Sequence, residues 1–324
     1  MILSSAFAIG LLAASPVVIA GPPGGVDQPA SPDAAAALRF VSLGLAGIGL
    51  IVLAGFLYKV TRRPRWLERT SRAPSLDPLG GFIVLWVALL VPILRIGAAR
   101  VVGFDPGDDP DIRSLAIGFW LSYGVSLATV IAWLVVKRRS RRGLESFGAT
   151  VEKPPASLSR AAAVGIIAFL LAFPTLQFVG LVANYVQYSI TSEVVDPIGH
   201  KTLASLSGQP FDLWALLVAL AVIVAAPLIE ETIYRGTVQA VIRGSGASGW
   251  IAILFAAALF AAMHWSSVPA ESRGPGLVQL FALGVILGLA YERTGRLLTP
   301  IVIHGLFNLT ELSLFYAFRD VIAG

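Results

Sequence analysis

Long apolar runs that contain almost no charged residue are the feature that most constrains this chain. A helix needs about 20 predominantly apolar residues to cross the hydrocarbon core of a bilayer. Each run is therefore predicted to be a membrane-spanning helix, and the chain to be an all-α polytopic membrane protein. The eight predicted helices lie at 40–58, 78–94, 114–136, 161–186, 213–229 (followed by a polar turn), 250–264, 276–291 and 297–318.

Composition excludes a soluble globular protein. Hydrophobic residues make up 56% of the chain, charged residues only 13%, and the mean hydropathy is +0.80, whereas soluble domains carry charge on roughly a quarter of their residues. A domain of 324 residues cannot hide that much apolar surface from water. Residues 1–20 form a further apolar run, which is either a signal peptide or a ninth helix. Residues 21–36, rich in Pro and Gly, are predicted to be a linker.

Basic residues collect in two loops, which set the predicted orientation. One loop follows the first predicted helix and the other follows the third, while the loop between them is acidic. Because cytoplasmic loops retain Lys and Arg, both basic loops are placed in the cytoplasm of a multi-pass protein of the cell membrane. The net charge of +5 then reflects topology and attraction to anionic membrane lipid, and nucleic acid is not expected as a partner. The basic residues are Lys59, Arg62, Arg63, Arg65, Arg69 and Arg72 in the first loop and Lys137, Arg138, Arg139, Arg141 and Arg142 in the second.

Two adjacent carboxylates, Glu230 and Glu231, close the fifth apolar run. An ionisable side chain inside a bilayer costs at least a few kcal/mol unless it is paired or faces a watery cavity, so it is a candidate for function. Glu231 and Arg235 are four residues apart and are predicted to form an ion pair on one helical face. Glu230 points about 100° away from Glu231, which leaves it for another partner. Alternatively, the cluster is a solvated helix end at the cytoplasmic surface.

Two later runs each carry an imidazole, at His264 and at His304. His264 precedes Trp265, a pattern that also fits an amphipathic anchor at the membrane interface. His304 and Asn308 are four residues apart, so their hydrogen-bonding groups share one helical face. The alternative role for this second pair is a polar contact between helices.

These polar side chains lie on three helices of a chain that otherwise keeps polar groups out of its membrane spans. A carboxylate that activates water, an imidazole partner and two donors for a developing oxyanion are the parts needed for amide hydrolysis without a covalent intermediate. The sequence contains no Gly-x-Ser-x-Gly nucleophile motif, no His-Glu-x-x-His zinc motif and no Cys, which excludes a thiol nucleophile and Cys-ligated metal. Acid/base hydrolysis is the predicted chemistry.

From about residue 221 to residue 309 the chain resembles the intramembrane endopeptidase family that groups CAAX prenyl proteases with bacteriocin-processing and bacteriocin-immunity proteins, the CPBP or Abi family. Three motifs in order carry the resemblance, and the segment 283–297 with Pro300 and Ile301 is similar to the family's approach to the last of them. The motifs are Glu230-Glu231-x-x-x-Arg235, Phe260-x-x-x-His264 and His304-x-x-x-Asn308.

The resemblance implies a role for each motif. It makes Glu230 the general base that activates water, with His264 beside it. It makes His304 and Asn308 the oxyanion hole. Glu231 and Arg235 would support the first motif through their ion pair or contact the substrate directly. No metal is implied by these roles.

A zinc ion held by Glu230, His264 and His304 is the less favoured alternative on ligand type, because Asn308 is a poor zinc ligand. The expected substrate is a membrane-associated protein or peptide, and nothing in the sequence specifies prenyl recognition or an oligomeric state. Other candidate functions are a non-catalytic membrane scaffold or bacteriocin-immunity-type protein of the same fold, and a transporter that couples protons through the two carboxylates.

The predicted organisation has three parts. Residues 1–36 are the signal peptide or first helix with its linker, residues 37–160 are accessory transmembrane helices, and residues 161–324 are the CAAX protease-like catalytic membrane domain. Counting residues from the predicted helix ends places Glu230 and His304 roughly 10 to 15 Å from the cytoplasmic side. A polar cavity in the cytoplasmic half of the membrane is therefore expected.

Overall fold

The apolar runs fold into helices wherever the computed structural model describes the chain, which is at residues 32–63, 65–71, 73, 111–139, 156–192 and 211–323. Within these residues there is no strand, so the predicted all-α class is confirmed for them. The helices are α1 Pro32–Arg62, α2 Trp66–Thr70, α3 Ile112–Arg139, α4 Leu158–Thr191, α5 Leu213–Gly244, α6 Gly249–Met263, α7 Arg273–Thr294 and α8 Leu298–Ala323.

Five helices of the described residues are long and apolar enough to cross a membrane, as in a multi-pass membrane protein. Helices α3 and α6 supply shorter apolar stretches, and the 15 residues of α6 span only about 22 Å. The predicted helix at 78–94 and the apolar run at 1–20 lie outside the described residues. The five long spans are Phe40–Arg62, Leu158–Thr191, Leu213–Gly244, Arg273–Thr294 and Leu298–Ala317.

Helix α5 corrects the predicted end of the fifth span. A polar turn was expected after residue 229, but α5 continues through the carboxylates to Gly244. It does so with two π-helical segments, Ala221–Ala225 and Tyr234–Gln239. Each such segment holds an extra residue within the turn and shifts the angular position of all residues that follow it. The prediction was wrong because polarity alone does not end a helix whose polar side chains find buried partners.

Side-chain caps position the beginnings of several helices. A residue before the first turn accepts a hydrogen bond from a backbone N–H that the helix itself cannot satisfy. Asp212 Oδ1 accepts from Ala215 N at 2.9 Å in α5, and Ser248 Oγ accepts from Ile251 N at 3.3 Å in α6. These caps set where α5 and α6 start, and hence the heights of Glu230 and His264 in the bundle.

The buried core lies where α4 to α8 meet. It contains Leu176, Phe260, Leu283, Leu287 and Ile303, each at most 2% exposed. Two glycines allow the helices to approach closely. A Cβ on Gly284 of α7 would lie 2.9 Å from Ala257 Cα of α6, and a Cβ on Gly305 of α8 would lie 2.9 Å from Ile223 O of α5. These glycines bring α6 close to α7 and α5 close to α8, nearly to backbone contact.

The short helix α2 is fastened to the ends of α6 and α7. The Trp66 ring lies between two cations, with Lys59 Nζ 4.5 Å and the Arg293 guanidinium carbon 5.0 Å from its centroid. Just after α2, Ser71 Oγ donates a hydrogen bond to Glu292 Oε2. The first basic loop therefore packs against the same helical bundle as the motif-bearing helices.

Candidate active site

A cavity of about 230 Å³ lies between α3, α5, α6, α7 and α8. Four of the predicted site residues, one or two from each motif, line it together: Glu230, His264, His304 and Asn308. The structure thus brings the three polar segments into one place, and neither carboxylate of the first motif is at a solvated helix end.

Glu231 and Arg235 form the predicted ion pair behind this cavity. Arg235 Nη1 lies 2.9 Å from Glu231 Oε1, and both side chains are fully buried. Arg235 Nη2 also donates to Gly284 O at 3.1 Å, and the guanidinium carbon lies 4.9 Å from the Phe260 centroid. A buried charge is tolerated only when it is paired and hydrogen-bonded, and this arrangement meets both conditions.

The same carboxylate orients His304, a contact that the sequence did not predict. His304 Nδ1 lies 2.8 Å from Glu231 Oε1. A carboxylate already paired with a guanidinium is an acceptor, so the hydrogen in this contact belongs to Nδ1. The other ring nitrogen, Nε2, is then a donor only when His304 is an imidazolium.

His264 is oriented by the backbone of its own helix. Its Nδ1 lies 2.7 Å from Phe260 O, and because a carbonyl only accepts, Nδ1 is the donor. The opposite nitrogen, Nε2, lies 3.9 Å from Glu230 Oε2. That carboxylate oxygen is buried and has no hydrogen-bond partner among the described residues. In a neutral imidazole Nε2 is an acceptor, and it then lies beside a second acceptor, the carboxylate oxygen of Glu230, at the cavity.

Asn308 is held by a carbonyl that the first π-helical segment leaves without a helical donor. Ala226 N donates to Ala221 O, and Pro227 has no N–H, so neither residue donates to Val222 O. Asn308 Nδ2 donates to this oxygen at 2.8 Å. One amide hydrogen is used in this contact, and the second is left for a ligand.

Phe260 packs against the Arg235 guanidinium and against both imidazoles. The ring is fully buried and lies 4.6 Å from the His264 ring and 5.9 Å from the His304 ring, centroid to centroid. It excludes water from the ion pair and restricts both imidazoles. The sequence placed Phe260 within a motif without giving it this role.

Three further lining residues were missed by the sequence analysis. They are Phe119 and Tyr123 of α3 and Glu311 of α8. Glu311 follows Asn308 by three positions and His304 by seven, so the helical period placed it on the same face. No motif marked the α3 residues, because an aromatic side chain in an apolar run is indistinguishable from one that faces lipid.

The cavity reaches the loop between α6 and α7. Ser267, in the loop 264–272, lines it, and in the predicted topology this loop faces outward. The expectation of a cavity in the cytoplasmic half stays a prediction, because Glu230 lies closer to the Gly244 end of α5 than to its Leu213 end, and His304 lies six residues after the start of α8 at Leu298. Because α5 continues to Gly244, Glu230 lies 14 residues from its basic end, which is about 21 Å.

The donor set was tested for a metal ion. Within the part of the chain that the structure describes, no three His, Cys, Asp or Glu side chains are arranged to hold one. Glu231 Oε1 already occupies His304 Nδ1, and Phe260 O occupies His264 Nδ1. Each imidazole therefore presents only Nε2 toward the cavity.

Residues 212–310 match the model of a family described as Rce1-like, type II CAAX prenyl endopeptidase Rce1-like. The chain is also similar to an uncharacterized 24.3 kDa protein of Escherichia coli, with 32% identity over 102 residues. That alignment covers 31% of the chain and 44% of the relative, so the chain spans less than half the length of the curated relative it matches. No solved structure gave a significant match. The family match confirms the resemblance at residues 221–309.

Proposed function

We propose, from the Rce1-like peptidase domain at residues 212–310, that this protein is an intramembrane endopeptidase. It hydrolyses a peptide bond of a membrane-associated protein with a water molecule activated by Glu230. The observation that carries the proposal is the buried Glu230 Oε2, which has no partner among the described residues and lies 3.9 Å from His264 Nε2. A water molecule fits beside these two acceptors because it has two hydrogens to donate.

The attack begins with proton transfer to Glu230. Water donates one hydrogen to Glu230 Oε2 and directs the other to His264 Nε2, so that an oxygen lone pair faces the substrate carbonyl carbon. As the new C–O bond forms, Glu230 takes the proton and the carbonyl oxygen becomes an oxyanion. Glu230 then returns the proton to the amide nitrogen, the C–N bond breaks, and an amine and a carboxylic acid leave.

His304 and Asn308 stabilise the oxyanion. Asn308 donates its second amide hydrogen, while His304 donates through Nε2 as an imidazolium. The contact between Glu231 Oε1 and His304 Nδ1, 2.8 Å apart, holds the ring with Nε2 toward the cavity. Preorganised donors in a site with little water are among the strongest contributions to catalysis, since removing one donor typically lowers kcat about 10²- to 10³-fold.

No cofactor takes part in the proposed reaction. Glu230, His264 and His304 supply the base, the second acceptor and a donor without an ion. Asn308 is turned toward Val222 O, and an amide nitrogen does not bind zinc well. The reaction therefore depends on the protonation states of the side chains alone.

The test compares the full-length protein with Glu230→Gln, which keeps the size of the side chain and removes the base. Membranes from cells that express each form are compared by sequencing of newly formed peptide ends. Glu271→Gln, on the exposed loop between α6 and α7, is the matched control. We expect at least one peptide end in the wild type and in the control that is missing with Glu230→Gln. Identical peptide ends in all three samples would favour a scaffold over an enzyme, if cells that express Glu230→Gln or His304→Ala also show the same phenotype as cells that express the wild type.

A further inference from the structure

We propose that Glu311, Phe119 and Tyr123, which line the cavity together, provide a side-chain subsite that takes a Lys or Arg residue of the substrate. This inference rests on the proposed function and adds a preference for one class of substrate residue to it. The three residues line the same cavity as Glu230 and His304, yet they lie outside the family match at residues 212–310.

Glu311 lies on the catalytic face of α8. It is 6% exposed and follows His304 by seven residues, two helical turns, which is a rise of about 10.5 Å. Asn308 lies between the two on the same face. A peptide held with its carbonyl at His304 and Asn308 therefore has Glu311 within reach of a long side chain of a neighbouring residue.

The charge of the cavity favours a cation. Glu230 and Glu311 both line it, and none of its described lining residues is Lys or Arg. Arg235 is fully buried behind Phe260 and paired with Glu231, so it does not neutralise the cavity. Two carboxylates in a site of low dielectric constant attract a positive side chain and repel a negative one.

The aromatic side chains that α3 contributes to the cavity suit the stem of a basic residue. Phe119 and Tyr123 stand one helical turn apart on α3, with ring centroids 6.0 Å apart. Lys and Arg have apolar stems that bury well against such rings, and their charged ends interact with aromatic faces. The subsite thus offers an aromatic wall to the stem and a carboxylate to the charged end.

The experiment uses the full-length protein in lipid nanodiscs and a set of internally quenched apolar peptides. The peptides are identical except that each position around the centre carries Lys, norleucine or Glu in turn. At the preferred position, we expect kcat/KM for Lys to exceed that for norleucine about 10- to 100-fold, the value of one charge-assisted hydrogen bond. Glu311→Gln should remove most of this preference, and Glu271→Gln should leave both the preference and the rate of cleavage of the norleucine peptide unchanged.

A binding measurement separates this proposal from the proposed function. Fluorescence anisotropy of the Lys and norleucine peptides is recorded with Glu230→Gln, and again with Glu230→Gln combined with Glu311→Gln. Tighter binding of the Lys peptide that needs Glu311 supports the subsite even if no peptide is cleaved, an outcome that would overturn only the proposed function. Cleavage without a Lys preference, or a preference unchanged by Glu311→Gln, would overturn the subsite and leave the peptidase standing.

Discussion

Removing the Glu231 carboxylate should destabilise the fold and disable the site by two separable routes. In Glu231→Gln the side chain keeps its size and an acceptor oxygen, but the fully buried Arg235 loses its paired carboxylate and keeps neutral partners, among them the Gly284 carbonyl at 3.1 Å and the Phe260 and Tyr234 rings. None of these partners carries a compensating charge. Loss of one member of a buried ion pair typically costs about 3 to 5 kcal/mol, and we expect a loss of that size in the free energy of unfolding.

The double variant Glu231→Leu with Arg235→Met separates stability from catalysis. Replacing both members of a buried pair by apolar residues of similar volume is often neutral, so this variant should regain most of the unfolding free energy. It should nevertheless remain poorly active, because His304 Nδ1 has lost its acceptor at 2.8 Å. The expected loss in kcat is about that of one oxyanion donor, 10²- to 10³-fold.

The assay measures unfolding in mixed lipid and SDS micelles by circular dichroism, alongside cleavage of a reporter peptide in nanodiscs. The control is Glu271→Gln on the exposed loop. A free energy of unfolding for Glu231→Gln within about 0.5 kcal/mol of the wild type, the range of ordinary surface substitutions, would contradict the stabilising role of the ion pair. A double variant as active as the wild type would contradict the role of Glu231 in orienting His304.

Three further predictions follow from the close contacts of α8 and from the donor set. Asn308→Ala should lower kcat about 10²- to 10³-fold with little change in KM, measured by the kinetics of peptide cleavage. An increase in KM with kcat unchanged would argue against an oxyanion role for Asn308. Gly305→Ala should cost about 1 to 3 kcal/mol in thermal unfolding, because its Cβ meets Ile223 O at 2.9 Å, whereas Gly44→Ala, with nothing within 4 Å, should not destabilise α1. Exhaustive chelation should leave the rate of peptide cleavage unchanged, and recovery of a lost rate by added zinc would contradict the glutamate mechanism.

The meeting of the motifs was predictable because each polar residue stood out in an apolar run. An ionisable side chain that faces lipid costs free energy, so Glu230, His264 and His304 were expected to face the interior of the protein and one another. The spacing of Glu231 and Arg235 also predicted their ion pair, which the structure contains. The helix class followed from run length, although the runs at 78–94 and 1–20 lie outside the described residues and stay predictions, as does the division at residue 161.

What could not be predicted depends on contacts between distant parts of the chain. The π-helical segment before Pro227 leaves a carbonyl that binds Asn308, a partner 86 residues away. His304 pairs with Glu231 across 73 residues of the chain. The contribution of α3 to the cavity left no trace in the sequence, since nothing distinguishes Phe119 from a ring that faces lipid.

The contact between Ser71 and Glu292 has a consequence for any attempt to excise the family-matching segment. Glu292 is fully buried and accepts from Ser71 and from Gln239, whose Nε2 lies 3.1 Å away. A fragment limited to residues 212–310 would expose one side of the Glu292 carboxylate to solvent. It would also open the cavity on the side that α3 lines. We therefore expect such a fragment not to fold on its own, because Ser71, which binds Glu292, and the α3 residues that line the cavity both precede it in the chain.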